Sequence, residues 1–432
     1  MMPHAIHHAP PPGERLFKHC GRWKTELFYA RRTVRPHQMT TAHIRIAHRY
    51  AGDEGIDDIK RAQALATELR AHGRDVIALH IGQPAFRPPT AVFDAYARIL
   101  ATHPNEYSPM SGLARTRALL RDHAGTWLAH ITSSEQVAYQ DSGCHAFDNL
   151  CTILCDPGDE IILPDPMWAV YATCARNAAA TPISISYLTG DEIDTERIRA
   201  AITPRTRALV VNSPENPTGR MLRPAHLESL ARIAQAHDLT VIEDGVYRDL
   251  TYTGEQASIA TLIPERTVVV DSFSKKCAST GARLGAVYAP AHVIRAIERT
   301  DRGAIGAPST IGQYFLWALF ETGNVPLPGM REELHARRDA TLAELDVMRN
   351  RYGWSHAPLD GAFYAFPDVR AEARGFAKDL LRATGVSVVP GTGFGASGAT
   401  SVRISYGSAD VKTIQDAFTR IRTFIDGPAT TC

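Results

Sequence analysis

Apolar and polar positions along the chain follow two rhythms. From Ile56 the stretch IDDIKRAQALATELRAHG sets apolar side chains at helical spacing and stops at Gly73, which predicts an amphipathic helix. A short run of strand type, DVIALHIG, follows and breaks at Gly82 and Pro84. Helical patterns then alternate with short apolar runs: DEIILPD, TPISISYL, ALVVNSP, LTVIEDG, TVVVDSF and LGAVYAP. Strands alternating with helices imply right-handed crossovers, hence an α/β fold whose mostly parallel sheet is covered by helices on both faces. After the helical stretches APSTIGQYFLWALFE and MREELHARRDATLAELDVMRN the pattern changes to GAFYAFPDV, GVSVVPGTGFG and SVRISYG, which reads as a smaller α+β unit closing the chain. No internal repeat is visible.

Strand ends matter most in such a sheet, because open parallel sheets bind ligands beyond the carboxyl ends of their strands. Three of them deliver polar residues. VVNSPENPTGR brings Asn212, Asn216, Thr218 and Gly219 after an apolar run, a pattern that a Pro-rich turn would satisfy equally well. LTVIEDGVYRDL ends on Asp244, with Tyr247 one short turn later; a carboxylate there is costly to bury unless it faces a cation. VVVDSFSKKCASTGARLG supplies hydroxyls, an arginine and two adjacent lysines, Lys275 and Lys276, either of which could be a nucleophile.

Composition narrows the partners. With 432 residues the chain suits one large domain and a smaller companion. The 47 Lys and Arg against 46 Asp and Glu leave no global field to attract nucleic acid or anionic lipid, so the expected partners are small molecules or another copy of the chain. Seven scattered Cys without a CxxC spacing argue against a disulfide framework and a zinc knuckle, and point to a reducing cytoplasm. No apolar run is long enough to span a bilayer, and the N-terminus lacks the order of a signal peptide. Residues 1 to about 38, rich in His, Pro and Arg, read as a disordered extension or an early start before Met39; His4, His7 and His8 read as incidental to it.

The segments NSPENPTG, EDGVY and SFSKKCASTGARLG together resemble the class I/II aminotransferases, pyridoxal-phosphate enzymes of fold type I similar to aspartate aminotransferase. LHIGQPAF, EYSPMSG, SGCHAF with CDPGDEIILPDPMW, and VRISYG extend the resemblance in the family's order from about residue 44 to 425. It implies a small domain built from residues 44–88 and 326–432 around a large cofactor-binding domain, 89–325, preceded by an extension over 1–43. It also implies a homodimer and transfer of an amino group between an amino acid and a 2-oxo acid by alternating half-reactions.

By that resemblance Lys275 is the Schiff-base lysine and proton carrier, while Lys276 is a neighbour, read as a solvated or supporting cation. Asp244 is expected at the pyridine nitrogen, Tyr247 and Asn216 at the ring's phenolic oxygen, and Trp168 stacked on the ring, with Tyr171 a nearby alternative. Ser142, Gly143 and Cys144 open a helix whose N-terminus suits the phosphate, joined by Ser272, Ser274 and Arg283. Tyr107 is expected to reach the phosphate of the other subunit. Gly82, Asn216 and Arg403 are expected at the substrate, Arg403 as the fork for its α-carboxylate.

Other readings compete. GTGFGASG has dinucleotide-loop glycines, but Pro390 intervenes and too little chain follows for a nucleotide domain. Cys151 and Cys155 share a helix face without further ligands near in sequence, which suits helix packing better than a metal. The same scaffold also supports elimination, replacement, cyclisation and carbon–carbon bond formation, and a non-catalytic binding module is conceivable. Cys144 and His145 offer no evident clamp for a second substrate carboxylate. Asp53, Glu54, Asp57 and Asp58 read either as a solvated helix start or as acids facing a cationic substrate.

Overall fold

The computed structural model describes residues 56–254 and 256–427, with the side chains of Ile56 and Asp57 left out. Residues 1–43 and the acids Asp53 and Glu54 therefore lie outside the described residues.

In chain order the strands are β1 (Ile77–Ala78), β2 (Val137–Gln140), β3 (Glu160–Pro164), β4 (Thr181–Ile185), β5 (Leu188–Thr189), β6 (Glu192–Ile193), β7 (Thr206–Asn212), β8 (Thr240–Asp244), β9 (Thr267–Ser272), β10 (Gly285–Tyr288), β11 (Tyr364–Ala365), β12 (Val386–Ser387), β13 (Val389–Pro390) and β14 (Val402–Ser405). Seven of them form one sheet in the order β2-β10-β9-β8-β7-β3-β4. The pairs β3–β4, β3–β7, β7–β8 and β8–β9 are parallel, and β10 runs antiparallel to both its neighbours. The sheet is thus mostly parallel, as the alternation of patterns predicts. Its apolar runs are buried because helices cover both faces: Ile161, Ile162, Leu163, Leu209 and Val210 have no solvent contact. Each such side chain is worth roughly 1.5–3 kcal/mol when fully buried, which is why these strands read as continuous apolar runs and not as alternating ones.

One strand escapes the pattern. β2, VAYQ, ends on a buried glutamine whose Nε2 donates to Asp301 Oδ2 at 2.8 Å. A polar residue satisfied far away in sequence leaves no local sign of a strand.

Register aligns the functional strand ends. Asn212 pairs with Asp244, and Asp244 with Val270 two residues before the end of β9. Reversal of β10 sets Gly285 opposite both Ser272 and Gln140, next to the turn Ser142–Gly143. Polar ends of β2, β7, β8 and β9 thereby share one edge of the sheet.

Away from this sheet, β11, β14 and β13 form a three-stranded antiparallel sheet, and β1 pairs in parallel with β12 through Ile77 and Val386. The glycine-rich GTGFGASG is two short 3-10 turns, Gly391–Phe394 and Ala396–Gly398, not the opening of a long helix. Among the described residues no helix is long and apolar enough to cross a membrane.

Candidate active site

The strand ends surround a cavity of about 250 Å³. Its walls bring together Gly82, Ser142, Gly143, Cys144, Trp168, Asn216, Asp244, Tyr247, Ser272, Ser274, Lys275, Arg283 and Arg403, that is, every site residue expected from sequence except Tyr107.

Lys275 sits on the single turn Phe273–Lys276 that follows β9, capped by the Ser272 side chain, which accepts the Ser274 N–H. Its Nζ donates to the carbonyl of Gly82 at 2.6 Å. Burial, and then the cations Arg403 and Arg283, lower its pKa to about 8, since each disfavours the charged amine. A lysine so placed offers a neutral amine at moderate pH.

Of the two sequence readings of Lys276, solvated or supporting cation, its burial excludes the first. It is wholly buried, with Nζ 2.6 Å from Asp249 Oδ2 and 2.8 Å from Asp271 Oδ1. Those carboxylates raise its pKa against the effect of burial, and the two adjacent lysines are driven in opposite directions.

Asp244, at the end of β8, accepts from the Tyr171 hydroxyl at 2.5 Å through Oδ2 and from the Val246 N–H at 3.1 Å through Oδ1. Burial raises its pKa to about 6 in spite of both donors. Tyr171 is therefore turned to Asp244. Trp168 meets it edge-on, with ring centroids 5.4 Å apart, and supplies the other aromatic wall. Asn212 Nδ2 donates to the Asp244 carbonyl at 3.1 Å while its Oδ1 accepts from Asn216 N–H at 3.0 Å, so the NSPENPTG loop is tied to β8 by one side chain.

Arg403 on β14 is 3% exposed and, among the described residues, has neutral partners: it donates to Asn216 Oδ1 at 3.1 Å and to the His80 carbonyl at 3.0 Å, while its Nε finds no acceptor there. The rings of Tyr364 and Phe394 lie 4.7 and 4.9 Å from its guanidinium carbon. Burial lowers its pKa, and only phenols oppose that effect. A buried cation without an anionic partner is costly, and a ligand carboxylate would relieve it. Gly82 keeps the approach open: a Cβ there would stand 3.0 Å from Tyr364 Oη and 3.4 Å from Arg403 Nη2.

Tyr364 was not singled out from sequence. Its hydroxyl lies 2.8 Å from that of Tyr247, and its only sequence sign was the aromatic pattern GAFYAF. At the opposite end of the cavity, Ser142 caps the helix Gly143–Leu154 by accepting the His145 N–H at 3.1 Å, which leaves the first N–H groups of that helix facing the cavity. Ser272 and Arg283 stand beside it, Arg283 with a left-handed φ of +57° and its Nη1 donating to the Thr280 carbonyl at 3.0 Å.

Two residues singled out from sequence lie outside this cavity. Tyr107 is 93% exposed and lies outside its own chain's cavity. Asp58 is buried, accepting from Arg374 Nε at 3.1 Å and Thr392 Oγ1 at 2.9 Å, and does not line the cavity.

A depressed amine, a buried carboxylate, a helix N-terminus and a guanidinium with only neutral partners on one cavity are parts that suit an amino-acid enzyme. Residues 74–421 match the family model of aminotransferase class I and II. The aspartate/prephenate aminotransferase of Thermus thermophilus is 36% identical over 80% of this chain and 90% of its own length. For the aspartate aminotransferase of Bacillus subtilis the values are 32%, 84% and 94%. The structure of Thermus thermophilus aspartate aminotransferase with maleate superposes with a TM-score of 0.80 at 33% identity, over 88% of this chain and 99% of the other. On its residues, its fold and these likenesses alike, the chain belongs to the class I and II aminotransferases.

Proposed function

We propose that this aminotransferase binds pyridoxal 5′-phosphate in the cavity described above and uses Lys275 as its covalent anchor and proton carrier. The observation that carries this reading is the pair of buried, mutually repelling cations, Lys275 and Arg403, at one end of a cavity whose other end is a helix N-terminus. The donor set fits the cofactor. Ser142, Gly143, Cys144, Ser272, Ser274 and Arg283 would hold its phosphate, with backbone N–H groups, hydroxyls and one guanidinium matching a dianion. Asp244 would face the ring nitrogen, Asn216 and Tyr247 the ring hydroxyl, and Trp168 one ring face. When bound, the protonated ring withdraws electrons from the bonds at the substrate α-carbon and makes its C–H acidic.

The chain's residues supply the rest. Asp244, oriented by Tyr171 and Val246, keeps a negative charge opposite the ring nitrogen. Arg403 would clamp the substrate α-carboxylate beside Asn216 and fix which α-carbon bond faces Lys275. Lys275 Nζ would carry the proton between the substrate α-carbon and the cofactor C4′. Substrates are accordingly an amino acid and a 2-oxo acid.

We also infer a homodimer with shared sites. Tyr107 projects outward from a loop fixed by the Ser108 hydroxyl donating to the Pro308 carbonyl at 2.9 Å and the Thr310 hydroxyl donating to the Glu106 carbonyl at 2.6 Å. Ile305 and Ile311, on the segment that holds this loop, are exposed apolar side chains of the sort that interfaces cover. The division into a large domain over 89–325 and a small one from 44–88 and 326–432 belongs to the same proposal.

The test mixes cofactor-loaded protein with single amino acids and no acceptor. Release of one equivalent of 2-oxo acid per site, with no ammonia, is expected. Ammonia release, or continuous turnover without an acceptor, would overturn transamination in favour of elimination or replacement.

A further inference from the structure

The second lysine of SFSKK has a place that its sequence neighbour does not explain. Lys276 joins three segments, each of which carries a residue of the site. Its own turn holds Lys275. Asp271, whose Oδ2 accepts from Lys276 Nζ at 2.9 Å, also accepts the backbone N–H of Ser272 through Oδ1 at 2.7 Å. Asp249, 2.6 Å from the same ammonium, lies two residues beyond Tyr247 on the turn leaving β8. The Lys276 carbonyl accepts the Leu327 N–H at 2.9 Å, and the Phe273 ring lies 4.9 Å from Nζ, so the side chain is held from both ends.

Stability alone does not call for this arrangement. Desolvating one cation and two carboxylates is unfavourable, and a methionine with two asparagines of similar volume would pack the same space. A charge-assisted bridge adds position, because both carboxylates must come within about 3 Å of one compact, buried ammonium. We propose that Lys276 is a positioning residue of the active site: by bridging Asp249 and Asp271 it fixes the Lys275 turn, the serine end of β9 and the Tyr247 turn in one mutual register. This rests on the proposed cofactor site.

The electrostatics agree with the geometry. Asp271 raises the pKa of Asp244, and the ammonium of Lys276 lies 2.8 Å from that same Asp271 carboxylate. The other titratable groups facing the bridge are His123, Arg248, Tyr288 and Cys277. His123, with Nε2 3.5 Å from Lys276 Nζ, is held neutral with a pKa lowered to about 4 by burial and then by Lys276. Burial lowers the pKa of Arg248, whose guanidinium lies 3.8 Å from the Trp127 ring centroid. Burial raises the hydroxyl of Tyr288 and the thiol of Cys277, and both stay uncharged.

The experiment compares wild type with the neutral set Lys276→Met/Asp249→Asn/Asp271→Asn and with Asp249→Asn alone. Measured are the thermal midpoint of the cofactor-free protein, the dissociation constant of pyridoxal phosphate, the pH midpoint of the bound cofactor's visible absorbance, and borohydride trapping followed by peptide mapping. For the neutral set the expected result is a thermal midpoint close to wild type, with cofactor affinity weakened about tenfold or more and the absorbance midpoint displaced by about half a pH unit or more. Wild-type affinity and midpoint in that folded variant would overturn the proposal and leave the bridge a packing element. If the neutral set does not fold, Asp249→Asn decides: Asp249 is the most exposed of the three groups, and an unshifted midpoint overturns the proposal while a shifted one supports it. Failure of the wild type to trap the cofactor at Lys275 would instead refute the site on which the proposal stands, a separate outcome.

Discussion

Two lysines side by side illustrate what a single residue owes to its surroundings. On a helical turn, neighbours point about 100° apart, so Lys275 enters a cavity beside Arg403 while Lys276 enters a pair of carboxylates. The family resemblance singles out Lys275; nothing local in the sequence announces that Lys276 is buried, because Asp249 and Asp271 meet it through two different strand ends. Lys275, with a pKa of about 8, should be neutral in about a tenth of molecules at pH 7, against about one in three thousand for an ordinary lysine. The rate of cofactor capture by the cofactor-free protein should therefore rise about tenfold per pH unit and level off near pH 8, readable by stopped-flow absorbance. Lys275→Ala should abolish borohydride trapping.

Asp244 carries the opposite liability. Its folded pKa, about 6, lies above the unfolded value, so its protonation favours the cofactor-free fold. That contribution is fully present below about pH 4 and is lost as pH rises through 6, with an upper bound of about 3 kcal/mol. Asp244→Asn should accordingly raise the thermal midpoint of the cofactor-free protein at pH 8 while weakening cofactor binding; an unchanged or lower midpoint would contradict the assigned burial penalty. Tyr171→Phe removes a donor that lowers the Asp244 pKa, and should move the pH dependence of cofactor binding upward.

Among elements, the helix Gly143–Leu154 and strand β10 depend on each other. A Cβ at Gly285 would lie 2.6 Å from the Ser142 carbonyl carbon and 2.9 Å from its oxygen, with no flexible side chain there to yield. Gly285→Ala should push the helix start off its position and weaken phosphate binding by about tenfold, measured by titration with inorganic phosphate or the cofactor. The glycine was visible in GARLGAVYAP, but its reason was not, since it arises only when the reversed strand lays residue 285 against residue 142. Long apolar runs such as TVVVDSF and ALVVNSP were legible because two covered faces demand them. β2 was not, because its glutamine is satisfied by Asp301, and neither was Tyr364, whose partner Tyr247 lies 117 positions away.

For the molecule as a whole, the order of the motifs was readable well before any one of their contacts. The acids near the start of the first helix show the limit: charge in sequence does not say whether Asp58 meets a substrate or Arg374. The proposed shared sites make a testable demand on assembly. Sedimentation should give twice the 47.3 kDa chain mass. Lys275→Ala and Tyr107→Ala chains, each impaired alone, should recover activity on mixing and reassembly, because each mixed dimer then holds one site with both residues intact. Absence of recovery in demonstrated mixed dimers would place Tyr107 outside the partner's site.

The link between Arg403 and the His80 carbonyl, 323 residues apart, together with the pairing of β1 and β12, also sets a schedule for synthesis. Strands β2 to β10 can assemble while the chain is still emerging from the ribosome, and the lysine turn with them. Arg403 arrives with the last strand, β14. In a growing chain the turn that carries Lys275 can therefore be in place before the strand that carries Arg403 exists.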